Sequence, residues 1–143
     1  MKVLTIREPW ASLIGEQIKI IETRSWPTNY RGELYIHAGV APIPKTDERM
    51  KELPMILKNS LHFGTIFLKC NLSDCIPITK EYADRVRKEN PINYKWGDYA
   101  EGRYAWILTD VEYITPIPAK GHLSIWNFKT ELSIFGLGSS RFF

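Results

Sequence analysis

The chain has 143 residues, of which 44% are hydrophobic and 13% aromatic, and its formal net charge is +3. This content excludes an intrinsically disordered chain and suffices for one domain with its own core. The small positive charge permits a nucleic-acid partner without demanding one. The apolar run after Met1 is too short for a signal peptide, and no stretch is long enough to cross a bilayer. We therefore expect a cytoplasmic protein with no membrane partner.

In the first half of the chain, the pattern of apolar residues predicts a helix among short strands. Pro9 suits the first turn of a helix, and Trp10, Leu13 and Ile14 recur at helical spacing on one face. Residues with alternating or β-branched side chains mark the strands. The strands predicted in this half are 3–6, 20–26 and 33–38.

The second half is predicted to mix helices with longer strands. Its predicted elements are a helix over 47–53 capped by Thr46, a strand over 63–72 ending in a turn at 73–74, a helix over 80–89, a strand over 103–111 and a closing strand through Trp126. The segment 94–103 is aromatic and basic and holds two glycines. It either offers stacking surfaces and cations to a single-stranded base or holds a hairpin together.

The cysteines and histidines indicate no metal site. Cys70 and Cys75 are separated by four residues, and two thiols without a second pair of ligands make a poor zinc site. A disulfide is not expected in a reducing compartment, so both thiols are predicted to be buried or idle. His37 stands in no metal-binding motif and is predicted to be a structural histidine. No metal and no cofactor are expected.

Three ionisable residues lie within six positions of one another at Lys19, Glu22 and Arg24. In an extended strand, Glu22 and Arg24 share one face. Parity puts Lys19 on the other face, but its flexible stem lies where the helix turns into the strand and can swing to either side. A solvated strand face with a weak surface ion pair is the alternative interpretation.

The sequence around this run resembles the ASCH family, a branch of the PUA-like fold. The hallmark of that family is G-x-K-x-x-E-x-R, flanked by P-W and by S-W-P-x-x-Y-R-G, and residues 9–32 carry these patterns except for the first glycine. Lys19, Glu22 and Arg24 match the charged positions, while Gln17 stands where the family has glycine. That departure bears on the helix-to-strand turn more than on the charges.

A second match to the family lies near the end of the chain. Residues 120–128 are similar to the closing K-G-x-x-G-x-W strand of the family, with Ser124 in place of a glycine. The resemblance thus extends over about residues 3–128. It implies an α+β fold: a small PUA-like β-barrel of about five to six mostly antiparallel strands with two to three flanking helices. We expect residues 1–143 to form a single domain with a hydrophobic C-terminal tail at 129–143.

The resemblance also implies a ligand cleft beside the first helix and the strand that follows it. One carboxylate and two cations beside tryptophans suit a flat polar ligand, namely RNA or a nucleobase- or nucleotide-like small molecule. Glu22 could accept a hydrogen bond from an exocyclic amine, and Arg24 could clamp a phosphate. The residues predicted to bind the ligand are Lys19, Glu22, Arg24, Trp10, Ser25, Trp26, Tyr30 and Arg31.

An enzyme is the second hypothesis, with Lys19 and Glu22 as the catalytic residues. One branch of the family hydrolyses the acetyl amide of N4-acetylcytidine with a lysine, a threonine three positions later and a separate glutamate. Here Lys19 matches the lysine, but Glu22 takes the place of the threonine, and the adjacent Thr23 points to the opposite face. Glu101 and Glu112 are weak candidates for the separate glutamate.

Two further alternatives remain open. RNA cleavage is possible if Lys19 and Arg24 stabilise a pentacovalent phosphorane. The third hypothesis is a protein-interaction module that uses the tail at 129–143 as its contact. The sequence leaves the oligomeric state open.

Overall fold

The computed structural model describes residues 1–129 of the chain, which form six strands and four short α-helices. The strands are β1 (Lys2–Ile6), β2 (Ile21–Arg24), β3 (Gly32–Ala38), β4 (Thr65–Pro77), β5 (Tyr104–Pro118) and β6 (Ile125–Asn127). The helices are α1 (Trp10–Gly15), α2 (Leu53–Ile56), α3 (Lys80–Glu89) and α4 (Pro91–Lys95), with a 3-10 helix at Glu48–Glu52. None of these helices combines the length and apolar composition that a membrane crossing requires.

The strands form one mixed sheet in the order β2-β5-β4-β3-β1-β6. β1 and β3 run parallel, and the other four pairings are antiparallel. The fold is therefore α+β as expected, but the predicted barrel is wrong, because the described sheet is open. Closure needs the two edge strands to pair with each other, and β2 and β6 have only 4 and 3 residues.

The two long central strands differ from their predicted lengths. β4 has 13 residues and β5 has 15, and their pairing shifts register at three places, one of them between Leu72 and Asp74. The structure has a β-bulge where a turn was predicted at Ser73 and Asp74. A bulge and a turn have similar local sequences, because each interrupts regular strand pairing. β4 continues beyond it to Pro77.

Caps explain the helices, which are more numerous than the predicted two to three. The Thr79 side chain accepts a hydrogen bond from the Tyr82 N–H, so α3 begins where the sequence predicts. Asn90 ends α3 and caps the next helix by accepting from the Asn93 N–H, with Pro91 at its first position. The Asn-Pro pair at residues 90–91 thus lies at both the end of α3 and the start of α4.

The core lies between α1 and the sheet. Ala11 and Ile14 of α1 pack against buried residues of β1, β3, β4 and β5. Trp106 of β5, which is fully buried, closes this cluster from the side of β2. Because the apolar face of α1 packs against the sheet, the position of α1 is fixed, and the residues that follow it lie next to the start of β2.

The predicted tail at 129–143 lies, beyond Lys129, outside the described residues. The assignment of residues 1–143 to a single domain stays a prediction.

Candidate functional site

The turn between α1 and β2 sets the position of Lys19. After α1 ends, Gln17 takes a left-handed backbone with φ 58°, and the N–H groups of Ile18 and Lys19 both donate to the Leu13 carbonyl. Gln17 is the residue that replaces the family's glycine, so the turn that glycine favours is formed here by a glutamine. Ser124, the other replacement, also has φ 58°.

The structure brings Lys19, Glu22 and Arg24 together. Lys19 Nζ lies 2.7 Å from Glu22 Oε1 and also donates to the Ile21 carbonyl. Arg24 Nη1 donates to Glu22 Oε2 over 3.2 Å. Lys19 is 1% exposed and Glu22 is 6% exposed. The stem of Lys19 has thus swung onto the face that Glu22 and Arg24 share, and a solvated strand face is excluded.

Burial and ion pairing set the protonation of this pair. Burial acts to raise the pKa of Glu22, but the positive charges of Lys19 and Arg24 and their hydrogen bonds outweigh it and hold that pKa below its ordinary value. For Lys19 the balance differs, since burial lowers its pKa and the attraction of Glu22 only partly opposes it. Glu22 is therefore a stable carboxylate at neutral pH.

A cavity of about 240 Å³ opens beside the three charged residues. Among its lining side chains, five are basic and two, Glu22 and Asp98, are acidic. The site thus has an electropositive wall around a single buried carboxylate. The lining residues are Ile6, Arg7, Trp10, Lys19, Glu22, Thr23, Arg24, Arg49, Trp96, Gly97, Asp98 and Arg103.

Two tryptophans and an arginine form one wall of the cavity. The guanidinium carbon of Arg49 lies 5.6 Å from the ring centre of Trp10 and 5.5 Å from that of Trp96. Asp47 orients this arginine through contacts of 2.6 and 3.0 Å to Nη2 and Nε. The Trp10 indole packs against the core and also lines the cavity.

Four residues of the predicted binding set lie outside the cavity lining. Trp26 packs edge-on against Trp106 with ring centres 4.7 Å apart, and Arg24 lies over its face at 5.4 Å. The other three residues are in the β2–β3 loop: Ser25 is exposed, Tyr30 donates to the Glu33 carbonyl, and Arg31 donates to the carbonyls of Thr28 and Tyr30.

Five ionisable or aromatic residues that line the cavity were not among the predicted binding residues: Arg7, Arg49, Trp96, Asp98 and Arg103. The last three lie in the segment 94–103, whose aromatic and basic composition was the available signal. Arg103 donates to the carbonyls of Asp98 and Thr23, which ties this segment to β2. Arg49 gave no local signal because it lies among the alternating charges of residues 47–52, and Arg7 belongs to no motif that the sequence marks.

Asn93 is a further residue that the sequence did not mark. Its side chain is buried, and Oδ1 accepts hydrogen bonds from the N–H groups of Ile20 and Ile21 at 2.7 and 3.2 Å. These are the two residues between Lys19 and Glu22. Asn93 therefore holds the backbone in the shape that lets Lys19 reach back to Glu22.

The groups that the enzyme hypothesis requires are either hydrogen-bonded within the protein or outside the cavity lining. Lys19 already donates to two oxygens within the protein. The Thr23 hydroxyl accepts from the Asp98 N–H over 2.9 Å. Glu101 and Glu112 are absent from the lining of this cavity, and Glu112 lies in another groove.

The thiols and histidines behave as structural groups. Within residues 1–129, no three His, Cys, Asp or Glu side chains converge as a metal site needs. Both cysteines are free, and burial raises the pKa of Cys70 to about 12, so its thiol stays protonated. His37 is held at both ring nitrogens, by the Thr5 hydroxyl and the Ala119 carbonyl.

Comparisons with known proteins agree with the resemblance described above. The chain is 25% identical over 138 residues to mouse activating signal cointegrator 1 and 25% identical over 132 residues to the human protein, and each match covers 90% of this chain. The chain spans only 22% of the length of each of these relatives.

A solved structure shares the fold. The crystal structure of ASCH from Zymomonas mobilis superposes with a TM-score of 0.58 at 16% identity, covering 95% of this chain and 94% of that one. The sequence model of the ASCH domain matches residues 4–118, which is most of the chain. The chain belongs to the ASCH domain family.

Proposed function

We propose that this domain binds a nucleobase or nucleotide, free or within RNA, in the cavity beside Lys19, Glu22 and Arg24. The observation that carries the proposal is a buried, ionised carboxylate in a cavity with indole walls, where five basic side chains outnumber two acidic ones. Glu22 is placed to accept from the exocyclic amine of a base. Arginines at the rim supply charge for a phosphate, and an indole supplies a stacking face.

The size of the cavity favours a single base. Its volume of about 240 Å³ is slightly below the roughly 300–1,000 Å³ of ordinary ligand pockets. In this proposal Lys19 is a positioning residue, because its contacts to Glu22 and to the Ile21 carbonyl hold the carboxylate in place. Arg24 contacts Glu22 through Nη1, and within residues 1–129 its other N–H groups make no hydrogen bond, so in this proposal they serve the ligand.

A binding screen tests the proposal. Nucleosides, nucleotides and short single-stranded RNAs are titrated into the full chain, with tryptophan fluorescence and thermal shift as readouts, because a ligand stabilises the native state by mass action. We expect at least one member to bind, with an affinity that falls about tenfold or more in Glu22→Gln and Arg24→Ala. The control variants are Glu48→Gln and Arg87→Ala, both at exposed side chains. Failure of the whole panel to bind overturns the proposal.

Hydrolysis is the second candidate function, favoured by the lowered pKa of the buried Lys19 at the cavity edge. Water would cleave the amide C–N bond of N4-acetylcytidine to give acetate and cytidine. Acetate release that is lost in Lys19→Ala and kept in Lys51→Ala supports it. Cleavage of RNA by the wild type, with the same dependence on Lys19, would instead assign a ribonuclease. Binding without either reaction leaves the first proposal alone standing.

A further inference from the structure

A second hollow adjoins the proposed base-binding cavity. Its volume is about 550 Å³, and Arg7 and Arg24 line both this hollow and the first. The two hollows are therefore neighbouring chambers with arginines at their boundary. The second chamber is lined by Thr5, Arg7, Arg24, His37, Gly39, Val40, Ala41, Lys120, Gly121, His122 and Leu123.

The charge of the second chamber has one sign. Arg7, Arg24 and Lys120 are basic, and none of the described residues that line this chamber is acidic. The Arg7 guanidinium is held at its place by the Pro42 carbonyl, to which Nε and Nη2 donate. An anion at the boundary between the chambers would thus meet two arginines at once, which suits a phosphate.

The remaining surface of the second chamber is mainly apolar and open, with Thr5, His37 and His122 as its polar side chains. Leu123 is 92% exposed and Val40 is 75% exposed, at the rim. The inner wall is close-packed, since a Cβ on Gly121 would lie 3.1 Å from the His37 ring and 3.0 Å from Thr5. Burial outweighs the hydrogen bond to Ala119 and lowers the pKa of His37, so this wall is uncharged at neutral pH.

The combination distinguishes a nucleotide from a peptide. A neighbouring nucleotide presents one phosphate at a fixed link to the first base, and a flat ring that buries well on apolar side chains. A small charged metabolite would not use the apolar rim, and an apolar peptide would not need three cations. The shared arginines lie where the link between two successive nucleotides has to pass.

We propose that the ligand is a single-stranded polynucleotide with two adjacent nucleotides bound, one base in the first cavity and the next nucleotide in the chamber of Lys120 and Leu123. The phosphodiester between them lies against Arg7 and Arg24. This inference rests on the proposed function and adds to it the class of ligand, a strand rather than a free nucleoside.

Matched pairs of small probes test the inference. Calorimetry with the full chain compares the four nucleoside 3′-monophosphates with ApA, CpC, GpG and UpU, which fit either strand direction. We expect the preferred dinucleotide to bind about tenfold or more tighter than its mononucleotide, because it gains a second stacked base. In Lys120→Glu and Leu123→Asp, dinucleotide affinity should drop to the mononucleotide level while mononucleotide affinity is unchanged.

Lys88→Glu supplies the same change of charge on the exposed face of α3 and should leave both affinities unaltered. A mononucleotide that binds as tightly as its dinucleotide overturns the inference and leaves the proposed function intact. A tighter dinucleotide whose gain survives Lys120→Glu also overturns it. If an acidic peptide, and no dinucleotide, binds in a manner that depends on Lys120, the chamber is a protein-binding groove. If no probe of either length binds, the proposed function itself fails.

Discussion

Two ion pairs of the same chemistry and spacing behave differently in this molecule. Lys19 and Glu22 are three residues apart with Nζ–Oε1 at 2.7 Å, and their side chains are 1% and 8% exposed. Glu48 and Lys51 are also three residues apart, with Nζ–Oε2 at 2.8 Å, but these side chains are 83% and 78% exposed. The distance between the charged atoms is nearly the same in the two pairs, and the pairs differ in how deeply their side chains are buried.

The difference shows which pair the fold depends on. Water solvates each member of the exposed pair, so either partner can be lost at little cost. The buried pair has given up that solvation, and each charge relies on the other and on Arg24. Burying charge is expensive for a structural purpose alone, and a perturbed pair beside a cavity marks a candidate site.

The largest predicted effect separates the two lysines. Lys19→Met removes one buried charge at similar volume and leaves Glu22 with only Arg24, so we expect unfolding to become easier by about 3 kcal/mol. Lys51→Met should change the unfolding free energy by less than about 0.5 kcal/mol. Urea unfolding at pH 7 measures both. Equal losses would contradict the assignment of the first pair as buried and interdependent.

The pH dependence of the unfolding free energy is the next test of the buried pair. The folded pKa of Glu22 is below its ordinary value, so the unfolded chain takes up a proton first as pH falls. The stabilisation from Glu22 is present above about pH 4.3, the ordinary glutamate pKa, and is lost below it down to the folded pKa. Urea unfolding at a series of pH values measures this: compared with wild type, Glu22→Gln should show a shallower loss of unfolding free energy in that window, and equal slopes in the two proteins would contradict the prediction.

Asn93 tests whether distant packing holds the buried pair in place. Asn93→Ala leaves the N–H groups of Ile20 and Ile21 without their acceptor, and we expect a loss of about 1–2 kcal/mol with a weaker response to ligand. Asn93→Asp keeps the acceptor oxygen and should recover part of both. Asn29→Ala, at an exposed loop residue, is the matched control. An unchanged unfolding free energy in Asn93→Ala would show that the turn between α1 and β2 is stable without the Asn93 side chain.

The smallest effect concerns the turn that leads into the buried pair. Gln17 holds a left-handed φ of 58°, so Gln17→Gly relieves strain that exceeds the entropy cost of glycine. We expect a gain of about 0.5–1 kcal/mol in unfolding free energy. Gln17→Ala keeps the strain and should give no gain. A loss on Gln17→Gly would mean that the glutamine side chain stabilises the turn.

Local patterns predicted most of the elements. The helix predicted over 80–89 matches the observed α3, and alternation placed β1 and β3 within about one residue. Features that depend on strand pairing were predicted wrongly. A turn was predicted where β4 has a bulge after Leu72, and a barrel was predicted where the described sheet is open. Both features depend on which strands pair, and residues distant in sequence decide that.

The sequence by itself determined the family, the α+β class and the presence of one lysine, one glutamate and one arginine at a helix–strand junction. Those features are local in the chain, so spacing and residue type are enough to find them. Only the tertiary structure decided that Lys19 turns toward Glu22 and that Arg49, Trp96 and Arg103 close the cavity around them. These residues lie 30 to 84 positions beyond Lys19, and only folding brings them beside it.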